Sequence, residues 1–288
     1  MQLDLEPVHP QIGMRVRGLD LRQPLDSATT AAILDAFARH QLLIFPDQEL
    51  DEAGMLAFTR HFGEPEIFVD PTTRTGSVPQ VIALTNLDAS GKPFGPGPQM
   101  ARLSLAENWH SDSSYRKVRA LATFLHGVVI PAEGGDTQYA SLHAAYDALP
   151  DDLKARIEPL AAIHNWEYQR TLAPGRGPMS EGERATAPPV AHRLVERHPV
   201  TGRKLLFLSS SAEYIEGLPY EEGRALLREL TAIATRPEAV YTHKWTRHEL
   251  LAWDNRATLH RSAGFDYQSL VLRRKMNRVV VGGDAAMQ

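Results

Sequence analysis

Trp109-His110-Ser111-Asp112-Ser113-Ser114 is the stretch on which the reading of this chain turns. Residues i and i+2 of an extended segment leave the same face, so the His110 imidazole and the Asp112 carboxylate can reach one metal ion from one side. Two protein ligands do not complete a site. A His-x-Asp pattern also arises by chance in many chains, and its weight depends on a third ligand and on what surrounds it.

The strongest third candidate lies in Trp253-Asp254-Asn255-Arg256-Ala257-Thr258-Leu259-His260-Arg261, where His260 follows an expected strand 150 residues after His110. Two histidines and one carboxylate on one octahedral face leave the remaining positions open. Iron(II) needs that arrangement if a co-substrate and dioxygen are both to approach it. Arg273, Arg274 and Arg278 follow His260 closely. A guanidinium fork binds carboxylates bidentately, so a carboxylate co-substrate near the metal accounts for the cluster. The alternative is a solvated strand edge. The other histidines lack a paired carboxylate at metal spacing and are expected to be surface or satisfied core residues.

Composition narrows the chemistry further. The 288 residues are 43% hydrophobic and 23% charged, with a formal net charge of -4, which carries no basic footprint for nucleic acid or an anionic membrane. There is no cysteine, so disulfides, thiolate nucleophiles and Cys-based zinc or iron-sulfur sites are excluded, and any metal must be held by His, Asp or Glu. Met1-Gln2-Leu3-Asp4-Leu5-Glu6 has neither a basic region nor an apolar run, and no window approaches the ~20 apolar residues of a membrane span. A soluble cytoplasmic protein with a small-molecule partner is expected. Homo-oligomerisation is the default expectation for such a chain.

Along the chain, Asp26-Ser27 opens an expected amphipathic helix over Thr29 to His40, followed by a buried strand, Leu42 to Phe45. Asp51 to Phe62 reads as a second helix closed by Gly63. Residues 64 to 108 look loop-rich around one strand, Val81 to Leu84; Leu121 to Ile130 reads as a strand ended by a turn at Pro131 to Gly135. Short helices are expected over Ser141 to Leu149 and Asp151 to Leu160, and a second long mobile segment, a lid or a disordered insertion, over 165 to 190. Strands at Lys204 to Leu208, Val240 to Lys244, Leu250 to Trp253 and Arg278 to Val281 enclose a helix from Glu221 to Ala234. Short strands without a βαβ rhythm predict a mainly β fold, an antiparallel sandwich or barrel with flanking helices.

Taken together, Trp109-His110-Ser111-Asp112, Gly134-Gly135-Asp136-Thr137, Trp253-Asp254-Asn255-Arg256 with His260, and Arg274 with Arg278 resemble the taurine dioxygenase family of iron(II)/2-oxoglutarate enzymes. The likeness runs along nearly the whole chain. It extends to the branch acting on 2,4-dichlorophenoxyacetate through Trp-His-Ser-Asp-Ser-Ser, Ala144-Ala145-Tyr146-Asp147-Ala148-Leu149-Pro150 and Glu216-Gly217-Leu218-Pro219.

The resemblance implies one catalytic domain over 1–288, a double-stranded β-helix (jelly roll), with His110, Asp112 and His260 holding Fe(II) at its open end. It implies Thr137 and Arg274 for the distal carboxylate of 2-oxoglutarate, and Arg278 for an anionic group on an acidic primary substrate. Each has a plainer alternative: Thr137 as the cap of a turn, Arg278 as an ordinary strand residue. Thirteen residues separate His260 from Arg274, a few more than in the taurine and dichlorophenoxyacetate enzymes, which leaves the co-substrate role open between Arg273 and Arg274. Ile67-Phe68-Val69-Asp70 has no lysine where the resemblance places a basic residue, whereas Lys92 sits in a comparable turn. Lys92 is therefore a second candidate anion clamp, with Phe68, Tyr115 and Trp166 as candidate aromatic walls. The implied reaction hydroxylates a small carboxylate, an aryloxyalkanoate first and a sulfonate, amino-acid derivative or fatty-acid-like acid next. A non-catalytic jelly-roll metal-binding protein is the alternative from another class.

Overall fold

Leu42-Leu43-Ile44-Phe45 is apolar at every position because both faces of the strand are covered. The computed structural model, which describes residues 2–67, 78–95, 97, 103, 105–172 and 178–283, clusters Leu43 and Phe45 with Ile33, Phe37, Met55 and Phe58 of two helices. Leu42 and Ile44 point the other way, toward Tyr139, Trp253 and Met276. Side chains alternate along a strand, so a continuous apolar run fills two cores at once.

In chain order the first strands are β1 (Asp4–Pro7), β2 (Met14–Arg17), β3 (Leu42–Phe45), β4 (Ile82–Thr85), β5 (Ala120–Val129), β6 (Thr137–Ser141), β7 (Ala161–His164) and β8 (Val190–Arg193). They are followed by β9 (Val195–Arg197), β10 (Lys204–Leu206), β11 (Ala212–Ile215), β12 (Val240–His243), β13 (Leu250–Asp254), β14 (Thr258–Ser262) and β15 (Lys275–Gly282). A large sheet has the order β1-β2-β3-β13-β5-β15-β4, antiparallel except between β2 and β3. A second sheet, β12-β6-β14, shares with it the core built on Tyr139, Leu125, Leu251, Trp253 and Met276. This is the expected jelly roll. The remaining strands form small sheets, β11-β7-β8 and β10-β9.

Helices close the outer faces. Helix α1 (Ser27–His40) is capped by Asp26, whose Oδ1 accepts from the Thr29 N–H at 2.6 Å, and α2 (Glu52–Thr59) is capped in the same way by Asp51 on Gly54 at 2.7 Å. Both cover the large sheet: Phe58 and, just after α2, Phe62 pack on Phe124, and Phe37 packs on Phe62. Behind the second sheet lie α3 (Leu142–Asp147) and α4 (Asp151–Ile157), with Leu142 and Ile157 buried beside Ala140 and Leu259.

The segment 165–190, expected to be mobile, carries two short helices, α5 (Trp166–Thr171) and α6 (Glu181–Thr186). They are joined by ion pairs, Arg170 to Glu183 at 2.9 Å and Arg184 to Glu167 at 3.0 Å; the Pro-Gly run at 173–177 lies outside the described residues. Helix α7 (Tyr220–Ala234) completes the outer layer with Leu226, Leu227 and Leu230 inward. No described helix is long and apolar enough to cross a membrane.

Candidate metal centre

His110 and His260 are brought together by their backbones. The His110 N–H donates to the His260 carbonyl at 3.0 Å and the His260 N–H to the His110 carbonyl at 2.9 Å, which makes the His110 segment an extra edge on β14. Asp112 follows two residues on. His110, Asp112 and His260 offer ligand atoms that all lie within 4.8 Å of one another, with Asp112 Oδ1 3.7 Å from His110 Nε2 and Oδ2 3.6 Å from His260 Nε2.

The protonation states suit a cation. His110 Nδ1 lies 2.7 Å from the Asn108 carbonyl, and the tautomer that satisfies this contact leaves the Nε2 lone pair facing the carboxylate. Burial lowers the His110 pKa, and burial reinforced by His110 takes that of His260 well below its ordinary value. Neutral imidazole is the metal-binding form. Burial is the largest influence on the Asp112 carboxyl and would raise it, but the Arg278 guanidinium 2.6 Å from Oδ1, acting with His260, His110 and the Thr123 hydroxyl, outweighs it and holds the group well below the usual carboxylate range. Two neutral imidazoles and an ionised carboxylate, converging without a soft ligand, fit a divalent iron ion.

The Trp253-Asp254-Asn255-Arg256 motif is the turn that carries the chain from β13 in one sheet to β14 in the other. Asp254 Oδ1 accepts from the Arg256 backbone N–H at 2.9 Å and from its Nε at 2.8 Å, while Oδ2 receives Arg256 Nη2 at 2.6 Å. His198 Nε2 lies 2.9 Å from the same Oδ2. The Ala257 N–H closes the turn on the Asp254 carbonyl at 3.1 Å. A buried charge pair with nearly every lone pair occupied fixes where β14, and hence His260, begins.

Thr137 sits on β6 one pleat from Tyr139, which pairs with His260, so Thr137 and His260 share a face. Its hydroxyl accepts from Trp245 Nε1 at 3.0 Å, which leaves its own proton as a donor. Arg274 is buried and Arg273 exposed. The Arg274 backbone is held by Asn86, through its Oδ1 at 2.9 Å and its N–H at 3.2 Å, and Arg274 Nε has no hydrogen-bond partner among the described residues. A Cβ on Gly135 would come within 3.1 Å of that Nε, and Gly135 has φ +76°, so the Gly134-Gly135 turn is the cradle in which Arg274 lies. A buried guanidinium with an unmatched donor fits a carboxylate ligand.

Of the expected substrate contacts, Arg278 is at the centre, paired with Asp112. Tyr115 lies near it, stacked on Trp166 with ring centroids 5.1 Å apart and planes 11° apart. Glu66, held by Arg116 at 3.1 Å, also faces Arg278, and burial raises its carboxyl despite both arginines. Lys92 makes no hydrogen bond or ion pair with the triad among the described residues. It is exposed in the turn begun by Asp88, whose Oδ1 accepts the Lys92 N–H at 3.0 Å, beyond the end of β4 and among solvated groups. Phe68 lies outside the described residues.

Residues 4–280 match the model of the taurine catabolism dioxygenase TauD, TfdA family. The chain belongs to this family. It is 36% identical over 291 residues to the alpha-ketoglutarate-dependent 2,4-dichlorophenoxyacetate dioxygenase of Cupriavidus pinatubonensis, covering 100% of both chains. It is 32% identical to the (S)-phenoxypropionate/alpha-ketoglutarate-dioxygenase of Sphingobium herbicidovorans, covering 99% of this chain and 96% of that one. Among solved structures, that of AAD-2 in complex with Mn(II) and N-oxalylglycine superposes with a TM-score of 0.89 at 36% identity, over 100% of this chain and 99% of the other. As a TauD/TfdA-family chain it is an alpha-ketoglutarate-dependent dioxygenase, an enzyme with a metal and 2-oxoglutarate at its centre.

Sequence reasoning missed several residues of this TauD/TfdA-family site. Thr123 donates to Asp112 Oδ2 at 2.7 Å, and its one signal is a hydroxyl inside the otherwise apolar run Leu121 to Leu125. Asn255 lies within Trp253-Asp254-Asn255-Arg256, but its amide bonds to Thr123 and to the Asp112 N–H span 132 and 143 residues and leave no local signal. Asn86, Trp245 and Glu66 carry no local signal, since their contacts are made across 188, 108 and 50 residues.

Proposed function

We propose that this enzyme oxidises a small anionic substrate of the aryloxyalkanoate class, cleaving its ether bond. The observation that carries the reading is the arrangement around Asp112. A guanidinium from Arg278 and the Tyr115–Trp166 aromatic stack adjoin the carboxylate of a His-Asp-His cluster, so an anion and an aromatic ring each have a partner beside the metal position. The relatives named for 2,4-dichlorophenoxyacetate and phenoxypropionate support the same class.

In this reading His110, Asp112 and His260 hold Fe(II), and Thr137 and Arg274 bind the distal carboxylate of 2-oxoglutarate. The burial of Arg274 and exposure of Arg273 favour Arg274 for that role. The bound iron would supply oxidising power from dioxygen, with one oxygen atom entering succinate as carbon dioxide leaves, and the other entering the substrate. The protein's part is positioning: Arg278 anchors the substrate carboxylate so that the carbon beside the ether oxygen is the one oxidised, and a misplacement of ~1 Å costs ~100-fold. Hydroxylation there gives a hemiacetal, which collapses to a phenol and, from an aryloxyacetate, glyoxylate. Lys92, in its exposed turn, has no part in this reading.

Two measurements test it. Anaerobic addition of Fe(II) and 2-oxoglutarate is expected to give a visible charge-transfer band that the Asp112→Ala variant lacks. Succinate release across a panel of acids is expected to be highest with aryloxyalkanoates. If only sulfonates, alkyl sulfates or fatty-acid-like acids gave substrate-dependent succinate, the aryloxyalkanoate reading would be wrong. The family model's span of 4–280 supports one catalytic domain over 1–288. A cytoplasmic location and a homo-oligomeric assembly complete the proposal, to be checked by fractionation and by light scattering.

A further inference from the structure

Behind Asp112 runs a hydrogen-bond relay that begins in the turn between the two sheets. Trp253 Nε1 donates to Asn255 Oδ1 at 3.1 Å, Asn255 Nδ2 donates to Thr123 Oγ1 at 2.9 Å, and Thr123 Oγ1 donates to Asp112 Oδ2 at 2.7 Å. The backbone N–H of Asp112 donates to the same Asn255 Oδ1 at 3.2 Å. All four residues are buried.

Each step has one allowed direction. An indole N–H and a backbone N–H only donate, so Asn255 must turn its oxygen toward them and its amino group toward Thr123. The Thr123 hydroxyl then accepts from Asn255, and its single proton is left for Asp112. One asparagine therefore grips Asp112 at both ends, directly at the main chain and through Thr123 at the carboxylate.

We infer that Thr123 and Asn255 are positioning residues for the metal, fixing the orientation of the Asp112 carboxylate before an ion arrives. The inference rests on the reading of His110, Asp112 and His260 as metal ligands. Neither residue touches the ion or the substrate. Arg278 holds Oδ1, and without the Thr123 hydroxyl Oδ2 loses its hydrogen bond, so the carboxylate plane is held at one oxygen only and ordering it then opposes metal binding. Partners standing one bond behind a ligand alter metal affinity by about 10- to 100-fold.

The test is Mn(II) titration of the metal-free full chain, followed by the electron paramagnetic resonance of the free ion. Thr123→Val, which keeps the shape and removes the hydroxyl, is expected to weaken binding about 10- to 100-fold. Thr123→Ser is expected to return it to within about threefold of wild type. Wild-type affinity in Thr123→Val overturns the inference, as does equal weakening in the Val and Ser variants, which would assign the effect to packing. If Thr123→Val does not fold, Trp253→Phe releases the Asn255 amide from the far end of the relay. A loss of about threefold or more is then expected, and unchanged affinity overturns the inference. Failure of the wild-type chain to bind Mn(II) overturns the metal reading itself, a result distinct from any of these.

Discussion

Arg278 Nη2 lies 2.6 Å from Asp112 Oδ1, so the carboxylate proposed as a metal ligand is also matched by a guanidinium. The two side chains are 17% and 8% exposed, and removing one leaves the other's charge buried. Arg278→Ala is expected to cost the metal-free protein about 2 kcal/mol, or about 5 °C in melting temperature, and saturating Mn(II) is expected to restore most of it by replacing the lost positive charge. Thermal unfolding with and without the ion measures both. A melting-temperature deficit that metal leaves untouched would contradict the account.

The Arg274 cradle makes a graded prediction for 2-oxoglutarate. Loss of a buried charge-assisted pair in Arg274→Ala is expected to raise its KM about 100-fold, and loss of one hydroxyl in Thr137→Val about 10-fold. Gly135→Ala sets a methyl 3.1 Å from Arg274 Nε at φ +76°, and is expected to raise the same KM about 10-fold and to lower stability by about 1 kcal/mol. Steady-state kinetics with the co-substrate varied ranks the three. An Arg274→Ala enzyme with wild-type KM would remove Arg274 from the site.

Specificity for an aryl group is expected to reside in the Tyr115–Trp166 stack. Trp166→Ala should lower kcat/KM about 10-fold for an aryloxyacetate while leaving an alkyl acid of similar length nearly unchanged, since an aromatic contact contributes about 1 kcal/mol beyond its area. Equal losses on both substrates would assign Trp166 to structure alone.

Acid lability is expected from two histidines outside the His110–Asp112–His260 cluster. His192 on β8 is pushed down to about 4, first by burial and then by the charge of Arg119, and burial with the neighbouring His192 takes His164 well below its ordinary value. In the unfolded chain both titrate near 6.5. As pH falls from about 6.5 to about 4 the unfolded chain takes up protons that the folded chain refuses, so stability is full above about pH 6.5 and declines through that window. For His192 the whole effect is at most about 3 kcal/mol. Chemical denaturation across this range should show the decline, and His192→Gln, which keeps a donor for the Arg116 carbonyl, should flatten it.

What was legible in the sequence was whatever short-range chemistry sets. Asp26 and Asp51 announce α1 and α2 because a cap acts within three residues, and Leu42 to Phe45 is apolar throughout because two cores claim it. The metal cluster was legible because ligand identity is strict. Strand β6 was not expected as a strand: Thr137-Gln138-Tyr139-Ala140-Ser141 has no strong alternation, and pairing with β12 and β14 on either side stabilises it. The helices α5 and α6 were hidden by the proline and glycine of 173–178, although the Ser180 and Glu183 capping box was present as a signal. Lys92 was hard to place from sequence because a basic residue in a turn carries no direction; its side chain is exposed.

The turn at Asp254 to Arg256 and the Trp166 helix divide the molecule's tasks between parts that meet at the Tyr115–Trp166 stack. The metal ligands stand on β14 and on the His110 segment paired with it, and buried charge ties the turn that leads into β14. Trp166 stands on an excursion between β7 and β8 whose ion pairs, Arg170 with Glu183 and Arg184 with Glu167, are largely solvent-facing. A library of substitutions confined to that excursion can therefore re-aim the enzyme at new molecules while the oxidising apparatus stays intact, and its inactive members should still bind Mn(II).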